Sequence, residues 1–242
     1  MLLYMSTLAI IVPCYNEQHR LDRGAVAELI GAIPDAVLYF VNDGSRDNTL
    51  EILNQLSAEY PSRAIVISYE KNEGKAKAIA KAVQQVMNQS PALYIGYMDA
   101  DFSTPVREFV HLYHSLVREQ AGFIFGSRIK KLNSGLTRKL SRHIIGRAIS
   151  TFIDMRFQLG IYDTQCGAKI FSSETVRVVF ADPFYANWLF DAEIFIRLKK
   201  NNKLQEGIEM PVTGWKDVHG SKLSVLSFPK ICREFITLAR KY

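Results

Sequence analysis

The 242-residue sequence predicts an α/β fold with a mostly parallel central sheet flanked by helices. Short apolar runs alternate with amphipathic segments through the first half of the chain. That alternation is typical of strands that are buried on both faces and joined by helices. Polar residues stand directly after several predicted strands, and ligands of such folds bind beyond the carboxyl ends of the strands. We therefore expect one functional site at that edge of the sheet.

The individual elements follow from the hydrophobic periodicity, taken in chain order. A continuous apolar run predicts a buried strand, whereas apolar residues recurring every three or four positions predict a helix. Strands are predicted at 8–13, 36–41, 64–67, 93–98 and 122–126. Helices are predicted at 26–33, 49–60, 74–87 and 106–118, and Asp47 is the expected cap of the second helix.

The second half of the chain contains two basic amphipathic segments. Residues 1–220 are predicted to form the main domain, with a basic insert at 129–162, and residues 221–242 a C-terminal interfacial helix. The insert holds seven Lys or Arg against one acid. Its apolar stripe is Leu140, Ile144, Ala148, Phe152, Met155 and Leu159. The stripe of the C-terminal helix is Ile231, Phe235, Leu238 and Tyr242. Such helices suit an anionic membrane surface, or they pack on the core as ordinary surface helices.

Composition excludes several classes of protein. Apolar residues make up 48% and charged residues 22% of the chain, which excludes disordered, collagen-like and coiled-coil sequences. The apolar run near the start is shorter than the roughly 20 residues of a membrane span, and no signal peptide is predicted. The three cysteines have no CxxC spacing, which favours a reducing, cytoplasmic setting. The net charge of +6 predicts an anionic partner. Nucleic acid is not expected, because no recognition motif accompanies the charge.

Three strand ends carry residue types with binding chemistry. Asp99 and Asp101 follow a buried strand and present the hard oxygen ligands that Mg²⁺ or Mn²⁺ prefers, although a turn with a helix cap is an alternative. Asp43 follows the second strand and is a candidate acceptor of hydrogen bonds from a base or ribose, or a plain turn residue. Residues 72–75 open a helix, so their free amides and Lys75 are expected to face phosphate.

Eight ordered motifs resemble a known family. They are VPCYNE (12–17), VNDGSRDNT (41–49), KNEGKAKAIAKA (71–82), MDADFSTP (98–105), GSR (126–128), DTQCGAKIF (163–171), WLFDAE (188–193) and GSK (220–222). Their order and spacing resemble family 2 glycosyltransferases of the GT-A fold. Among these the chain is most similar to polyprenyl-phosphate sugar synthases, and in particular to dolichyl-phosphate β-glucosyltransferases, whose typical string is DTQCGFKLF. Asn42 and Ala168 depart from the usual Asp and Phe.

The resemblance implies roles for individual residues. It places the nucleotide sugar on Pro13, Tyr15, Glu17, Asp43, Lys75, Asp99, Ala100, Asp101 and Lys222. It implies a metal, Mg²⁺ or Mn²⁺, on Asp99 and Asp101. The acceptor phosphate would meet Arg128, Arg138, Ser141 and Gln165. The residues expected to carry catalysis are Asp101, Arg128 and Asp191, and Glu193 falls where the family keeps polar residues near the sugar.

The implied reaction is an inverting, metal-dependent transfer of a sugar to a lipid phosphate. Glucose from UDP-glucose is the favoured donor, ahead of GDP-sugars, and polyprenyl or dolichyl phosphate at the cytoplasmic membrane face is the favoured acceptor. An ionised phosphate needs no general base. The alternative acceptor is a sugar hydroxyl, which requires a base, and Asp191 is the candidate. A nucleotide-binding membrane adaptor without activity and a homo-oligomer also remain open.

Overall fold

A seven-stranded sheet forms the centre of the computed structural model, which describes residues 7–89, 92–129, 140–216 and 228–242, without the side chains of 140–145 and 228. The strand order is β3-β2-β1-β4-β6-β5-β7. The strands are β1 (Leu8–Cys14), β2 (Ala36–Asp43), β3 (Ala64–Tyr69), β4 (Tyr94–Tyr97), β5 (Phe123–Ser127), β6 (Lys169–Ser172) and β7 (Gly207–Pro211). The predicted mostly parallel α/β fold is confirmed.

Helices connect the strands and cover both faces of the sheet. They are α1 (Arg23–Ala32), α2 (Thr49–Glu59), α3 (Lys75–Gln89), α4 (Val106–Glu119), α5 (Leu140–Phe157), α6 (Ser173–Val179), α7 (Phe190–Lys200) and α8 (Phe228–Lys241). Asp47 accepts hydrogen bonds from the backbone N–H and hydroxyl of Thr49 at the start of α2, as predicted, although Asn48 occupies the N-cap position itself.

The central strands are buried on both faces, as their continuous apolar sequences predict. In β1, Ala9 and Ile11 pack into the core on one face of the sheet, while Ile10 and Val12 pack into the core on the other. The expectation of two buried faces is wrong for β3, where Ile65 is exposed. β3 is an edge strand, so it pairs with another strand on one side only. Part of one of its faces is not covered by other elements.

Strand β6 is the one departure from a parallel order that shapes the site. It runs antiparallel between β4 and β5, and its first residue, Lys169, pairs in register with Tyr97 and Phe125. Because β6 runs in the opposite direction, its beginning lies at the edge where the parallel strands end. A short KIF run after a loop gave no sequence signal for this placement.

The apolar face predicted for α5 is wrong, because a different face of the helix packs on the core. Ile149, Ile153 and Phe157 are the buried residues, whereas Phe152 is 63% exposed and Met155 is 72% exposed. Ala148 is also exposed, and Leu159 is buried beyond the end of the helix. The helix is apolar on two adjacent faces, so periodicity alone selected the face that the core does not use.

The apolar face predicted for the C-terminal helix exists in α8 and packs on the protein. Ile231 and Leu238 are buried in the core, and Phe235 lies edge-on to Phe157 of α5. Glu234 accepts hydrogen bonds from three successive backbone amides at 187–189. This face is therefore not available to a bilayer, and the core-packing alternative holds for it.

None of the helices in the described part of the chain is both long enough and apolar enough to cross a bilayer.

Two neighbouring residues of α5 test which face the core uses. We expect Ile153→Ala to lower the free energy of unfolding by about 2–5 kcal/mol, because it opens a cavity under the helix. Phe152→Ala, its matched control, changes that free energy by no more than about 0.5 kcal/mol, because the ring is largely in solvent. Urea unfolding of both variants measures the difference, and equal losses would contradict the packing described.

Candidate active site

The carboxyl ends of β1, β2, β4 and β5 meet at one edge of the sheet, and each is followed by one of the polar motifs. The parallel pairing of β1 with β2 and with β4 sets their ends side by side. Strand β5 shares this direction, because β6 is antiparallel to both β4 and β5. The fold thereby brings together four segments, the first and last of which end at Cys14 and Ser127 in the sequence.

Two loops at this edge are fastened to each other. The loop after β1 and the loop after β2 exchange five side-chain to backbone hydrogen bonds. Their pairs are Asn16–Ser45, Arg46–Asn16, Glu17–Thr49, Gln18–Asp47 and Asn48–Gln18. Glu17 is buried and forms an ion pair with Arg20. Pro13 and Tyr15 are half-buried beside these loops. The residues predicted to hold the nucleotide therefore lie in a wall that is ordered by hydrogen bonds within the protein.

Asp43 caps the amino terminus of α3. Its carboxylate accepts hydrogen bonds from the backbone amides of Glu73 (2.9 Å) and Gly74 (2.8 Å) and from Asn72 Nδ2 (3.0 Å). The prediction that these helix-opening amides are free for phosphate is therefore wrong for Glu73 and Gly74. A carboxylate at a helix amino terminus is electrostatically favourable, and the fold supplies one from β2. Lys75 alone keeps the predicted direction toward the site.

Two neighbours of Asp43 shape this turn. Asn42, at the position where the resembled family has Asp, donates to Ser68 Oγ and accepts from the Ser45 amide. Its side chain thus joins β3 to the turn after β2, where an amide serves both as donor and as acceptor. Gly44 has a φ of +65°, and a Cβ there would lie 2.6 Å from the Asn72 backbone nitrogen. Only glycine fits that approach.

The two carboxylates after β4 are held by different partners. Lys75 Nζ lies 2.7 Å from Asp99 Oδ1. Asp101 Oδ1 accepts hydrogen bonds from the amide (3.0 Å) and the hydroxyl (2.6 Å) of Ser103. Each set of bonds uses one carboxylate oxygen. The turn that the sequence offered as an alternative is present in Asp101 and Ser103 together with the pair of carboxylates, and Ala100 between them is buried. The helix cap of that alternative is wrong, because Pro105 is the N-cap residue of α4 and no side chain caps it.

The donor set at this turn suits a divalent cation that shares its coordination with a substrate. Among the described residues no cluster of three or more His, Cys, Asp or Glu forms a complete metal cage. Asp99 and Asp101 supply hard oxygen ligands, which is the chemistry of Mg²⁺ or Mn²⁺ bound through one or two carboxylates and substrate phosphates. These two residues fit the cofactor predicted for them.

Gly167 packs directly on Asp99. A Cβ at this glycine would lie 1.9 Å from Asp99 Oδ2, a distance that no side chain tolerates. The loop that precedes β6 therefore touches the metal-ligand candidate through bare backbone. The string DTQCGAKIF predicts a packing corner at Cys166 and Gly167, but it does not predict this contact with Asp99.

A buried network of charges lies beneath the two aspartates. Asp191 Oδ1 accepts hydrogen bonds from Tyr97 Oη (2.5 Å) and Lys169 Nζ (2.6 Å), and Asp191 Oδ2 lies 3.9 Å from Lys75 Nζ. Burial raises the pKa of Asp191, but the ammonium groups of Lys169 and Lys75 outweigh it and hold the pKa below its ordinary value. Burial by itself lowers the pKa of Lys75, but the carboxylates of Asp99 and Asp191 have the larger effect and raise the pKa above its ordinary value. Both groups are therefore charged at neutral pH.

Arg128 is fixed by a carboxylate that the sequence left without a role. Its Nε and Nη2 form a bidentate pair with Asp163 at 2.7 and 2.9 Å, and its backbone amide donates to the same side chain. Its guanidinium lies 5.3 Å from the Trp215 ring centroid. Burial raises the pKa of Asp163, but Arg128 lowers it well below its usual range. Arg128 lies at the predicted edge with its orientation set by Asp163.

The acceptor-side predictions have mixed outcomes. Gln165 Nε2 is buried and has no hydrogen-bond partner among the described residues, and its contact with the acceptor phosphate stays a prediction. Arg138 and Lys222 lie outside the described residues, as does the side chain of Ser141. Glu193 does not reach the site: it is fully buried in a pair with Arg197 and accepts from the Ala186 amide.

Replacing Gly167 tests the contact with Asp99. We expect Gly167→Ala to displace Asp99 and to reduce the Mn²⁺-dependent part of UDP affinity by about tenfold or more, as loss of a ligand-supporting contact does. Gly31→Ala is the matched control, because its Cβ would meet nothing within 4 Å. Calorimetric titration of UDP with and without MnCl₂ measures both variants. Unchanged Mn²⁺ dependence in Gly167→Ala would contradict the contact.

Solved structures share this fold at low sequence identity. Mannosyl-3-phosphoglycerate synthase from Rubrobacter xylanophilus is 17% identical, with a TM-score of 0.69 over 97% of this chain and 73% of that chain. Glucosyl-3-phosphoglycerate synthase from Mycobacterium tuberculosis, solved in complex with Mn²⁺, UDP and glucosyl-3-phosphoglycerate, is 17% identical, with a TM-score of 0.68 over 95% of this chain and 77% of that chain. The predicted GT-A-like arrangement is thereby confirmed.

Sequence relatives cover almost the whole chain. The dolichyl-phosphate beta-glucosyltransferase of Dictyostelium discoideum is 29% identical over 242 aligned residues, which are 91% of this chain and 69% of the relative. Residues 9–184 match the model of glycosyl transferase family 2, and this match includes the loops after β1, β2, β4 and β5. The chain therefore belongs to glycosyl transferase family 2, whose members are nucleotide-sugar-dependent glycosyltransferases.

Proposed function

We propose that this chain transfers glucose from UDP-glucose to a polyprenyl or dolichyl phosphate, with inversion at the anomeric carbon, at the cytoplasmic face of a membrane. The observation that carries the choice of acceptor is the state of Asp191. Its Oδ1 already accepts from Tyr97 and Lys169, and its pKa is held low. Such a carboxylate is a weak base. The name of the Dictyostelium relative supports the same acceptor class.

A lipid phosphate acceptor does not need a strong base. The second pKa of a phosphate monoester is about 6, so its oxygen is largely ionised at neutral pH. A sugar hydroxyl would instead have to lose its proton to a carboxylate during attack. The position of Asp191 therefore suits orientation of the sugar or the acceptor better than proton abstraction.

The remaining problem is the approach of one anion to another. Two unit charges 4 Å apart repel by about 4 kcal/mol at an effective dielectric constant of 20. Lys75 and the buried Arg128 place positive charge at the edge of the sheet where these anions meet. Gln165 Nε2 offers a buried donor to the acceptor phosphate. Arg138, Ser141 and Lys222 remain predictions for the same anions.

Asp99 and Asp101 would hold Mg²⁺ or Mn²⁺, which when bound neutralises the donor diphosphate and stabilises the leaving nucleoside diphosphate. The work of the protein is to keep both carboxylates in place. Lys75 holds Asp99 and Ser103 holds Asp101, and Asp43 and the fastened loops shape the nucleotide side. The Mn²⁺ and UDP in the M. tuberculosis complex support this assignment of cofactor and nucleotide.

A transfer assay tests the proposal. Purified protein with MnCl₂ and labelled UDP-glucose or GDP-mannose is offered polyprenyl phosphate or a panel of free sugars. We expect label from UDP-glucose in the organic extract with polyprenyl phosphate, and about 10³-fold less with Asp101→Asn. Asp35→Asn, at an exposed turn residue, is the matched control and keeps full activity.

Three outcomes would contradict the proposal, each in a different way. Transfer to a free sugar instead of the lipid would make Asp191 the expected base. Transfer of label from GDP-mannose alone would contradict the choice of UDP-glucose as the donor. Binding of UDP without any turnover would indicate a nucleotide-binding adaptor.

The exposed face of α5 supports contact with an anionic membrane. Phe152 and Met155 project from a helix whose other apolar face is already buried, and Arg156 is exposed beside them. Anionic lipids attract each nearby Lys or Arg by about 1 kcal/mol. Apolar side chains flanked by basic ones suit insertion at the headgroup boundary. We assign the membrane contact to this face of α5, because the apolar face of α8 packs on the core.

Flotation with vesicles measures this contact. We expect the protein to float with vesicles of phosphatidylcholine and phosphatidylglycerol, and the double variant Phe152→Ser/Met155→Ser to lose about tenfold in partitioning, because two large apolar groups are removed. Val117→Ser is the matched control, since it removes an exposed apolar side chain from α4. Equal loss in this control, or flotation that persists in the double variant, would contradict the assignment.

A further inference from the structure

A lysine lies fully buried beneath the candidate active site. Lys169 opens β6 and has no exposed surface. Its Nζ donates to Cys166 O (2.6 Å), Asp191 Oδ1 (2.6 Å) and Thr164 O (3.2 Å). A lysine ammonium has three N–H donors and no acceptor, so every donor of Lys169 has a partner.

The partners of Lys169 come from two separate parts of the chain. The carbonyls of Thr164 and Cys166 belong to the loop before β6, which also carries Gln165. Asp191 belongs to the first turn of α7. One ammonium thus fixes the acceptor-side loop and the buried carboxylate relative to each other.

Both of these parts of the chain are connected by contacts to Asp99, the metal-ligand candidate. Because Lys169 and Tyr97 both donate to Oδ1 of Asp191, the other oxygen, Oδ2, lies on the side of Lys75, whose Nζ binds Asp99. The second connection is direct. Gly167 of the loop before β6 lies so close to Asp99 Oδ2 that there is no room for a Cβ. Two routes of direct contact therefore join Lys169 to Asp99.

Stability alone is a weak reason for this buried ion pair. Desolvation of two charges offsets much of their attraction, and apolar residues of similar volume that replace both partners of a buried pair together often do so without loss of stability. The rings of Tyr97 and Phe195 lie within 5.6 Å of Lys169 Nζ, measured to their centroids, so an apolar side chain would find apolar neighbours here. What the ammonium adds is direction, because it dictates where two carbonyls and one carboxylate oxygen point.

We propose that Lys169 is a positioning residue of the transfer reaction, which fixes Asp191 and the 164–167 loop and through them the place of Asp99. This inference rests on the proposed function. It assigns to Lys169 an effect on the cation-dependent step of donor binding and on turnover. The nucleotide-side loops after β1 and β2 are held by their own hydrogen bonds, so binding of UDP without cation does not depend on Lys169.

The test compares Lys169→Met with a lysine that makes similar contacts elsewhere. Methionine keeps the unbranched shape and removes the charge and the donors. Lys199→Met is the matched control, because Lys199 Nζ also donates to two carbonyls, those of Phe157 and Gln158, at the far end of α7. Lys169→Gln is the second variant, since it retains amide donors should Lys169→Met fail to fold.

The readouts are calorimetric titration of UDP with and without MnCl₂, and the kcat and KM of transfer. We expect Lys169→Met to reduce the Mn²⁺-dependent gain in UDP affinity about tenfold and kcat about 100-fold. Its UDP affinity without metal changes by less than about twofold, because that region is independent of Lys169. Lys169→Gln shows a smaller loss of the same kind, and Lys199→Met shows none.

Several outcomes would overturn the positioning role. These are a folded Lys169→Met with wild-type Mn²⁺ dependence, a parallel loss of UDP affinity with and without metal, or the same loss in Lys199→Met. Failure of both Lys169 variants to fold would assign the lysine to the core and would overturn it as well. Failure of the proposed function is distinct, because the wild-type protein would then bind UDP with Mn²⁺ and transfer no sugar to lipid phosphate.

Discussion

Alternating charges run beneath the carboxyl edge of the sheet, from Lys169 through Asp191 and Lys75 to Asp99. Each charge is at least partly withdrawn from water and is compensated by its neighbour in the series, so displacing one of them weakens the pairing of the next. The strand order follows the same constraint. Only an antiparallel β6 between β4 and β5 brings its first residue, Lys169, to this edge. The loop that enters β6 crosses the end of β4, and Gly167 of this loop therefore lies against Asp99.

The nucleotide side of the site is ordered by a different physical means. Polar side chains of the loops after β1 and β2 satisfy each other's backbone amides, and Asp43 satisfies the first amides of α3. These bonds exist in the protein alone, so nucleotide binding meets a wall that is already formed. A preformed wall reduces the loss of conformational entropy on binding. The side proposed for the metal, in contrast, depends on buried charges whose partners come from distant parts of the chain.

The basic half of the protein separates into a packing face and an exposed face. Helix α8 packs Ile231 and Leu238 into the core, leaves Ile236 exposed, and uses Glu234 to hold the turn at 187–189. Helix α5 buries Ile149, Ile153 and Phe157 and still presents Phe152 and Met155 to solvent. Exposed apolar side chains beside a basic one, as at Phe152, Met155 and Arg156, are typical of helices at a membrane interface and support the proposed membrane contact of α5.

The sequence by itself determined the α/β class, the elements of the first half and the family, because apolar periodicity and ordered motifs are local properties of the chain. It also located Asp99, Asp101 and Asp43 at strand ends and Lys75 at the start of a helix. Only the tertiary structure decided their partners: Asp43 accepts from the amides of Glu73 and Gly74 that lead into α3, Lys169 compensates the charge of Asp191, and Asp163 holds Arg128. Periodicity likewise could not choose between the two apolar faces of α5. Ion pairing and burial depend on which distant segments meet, and that information arises only when the sheet assembles.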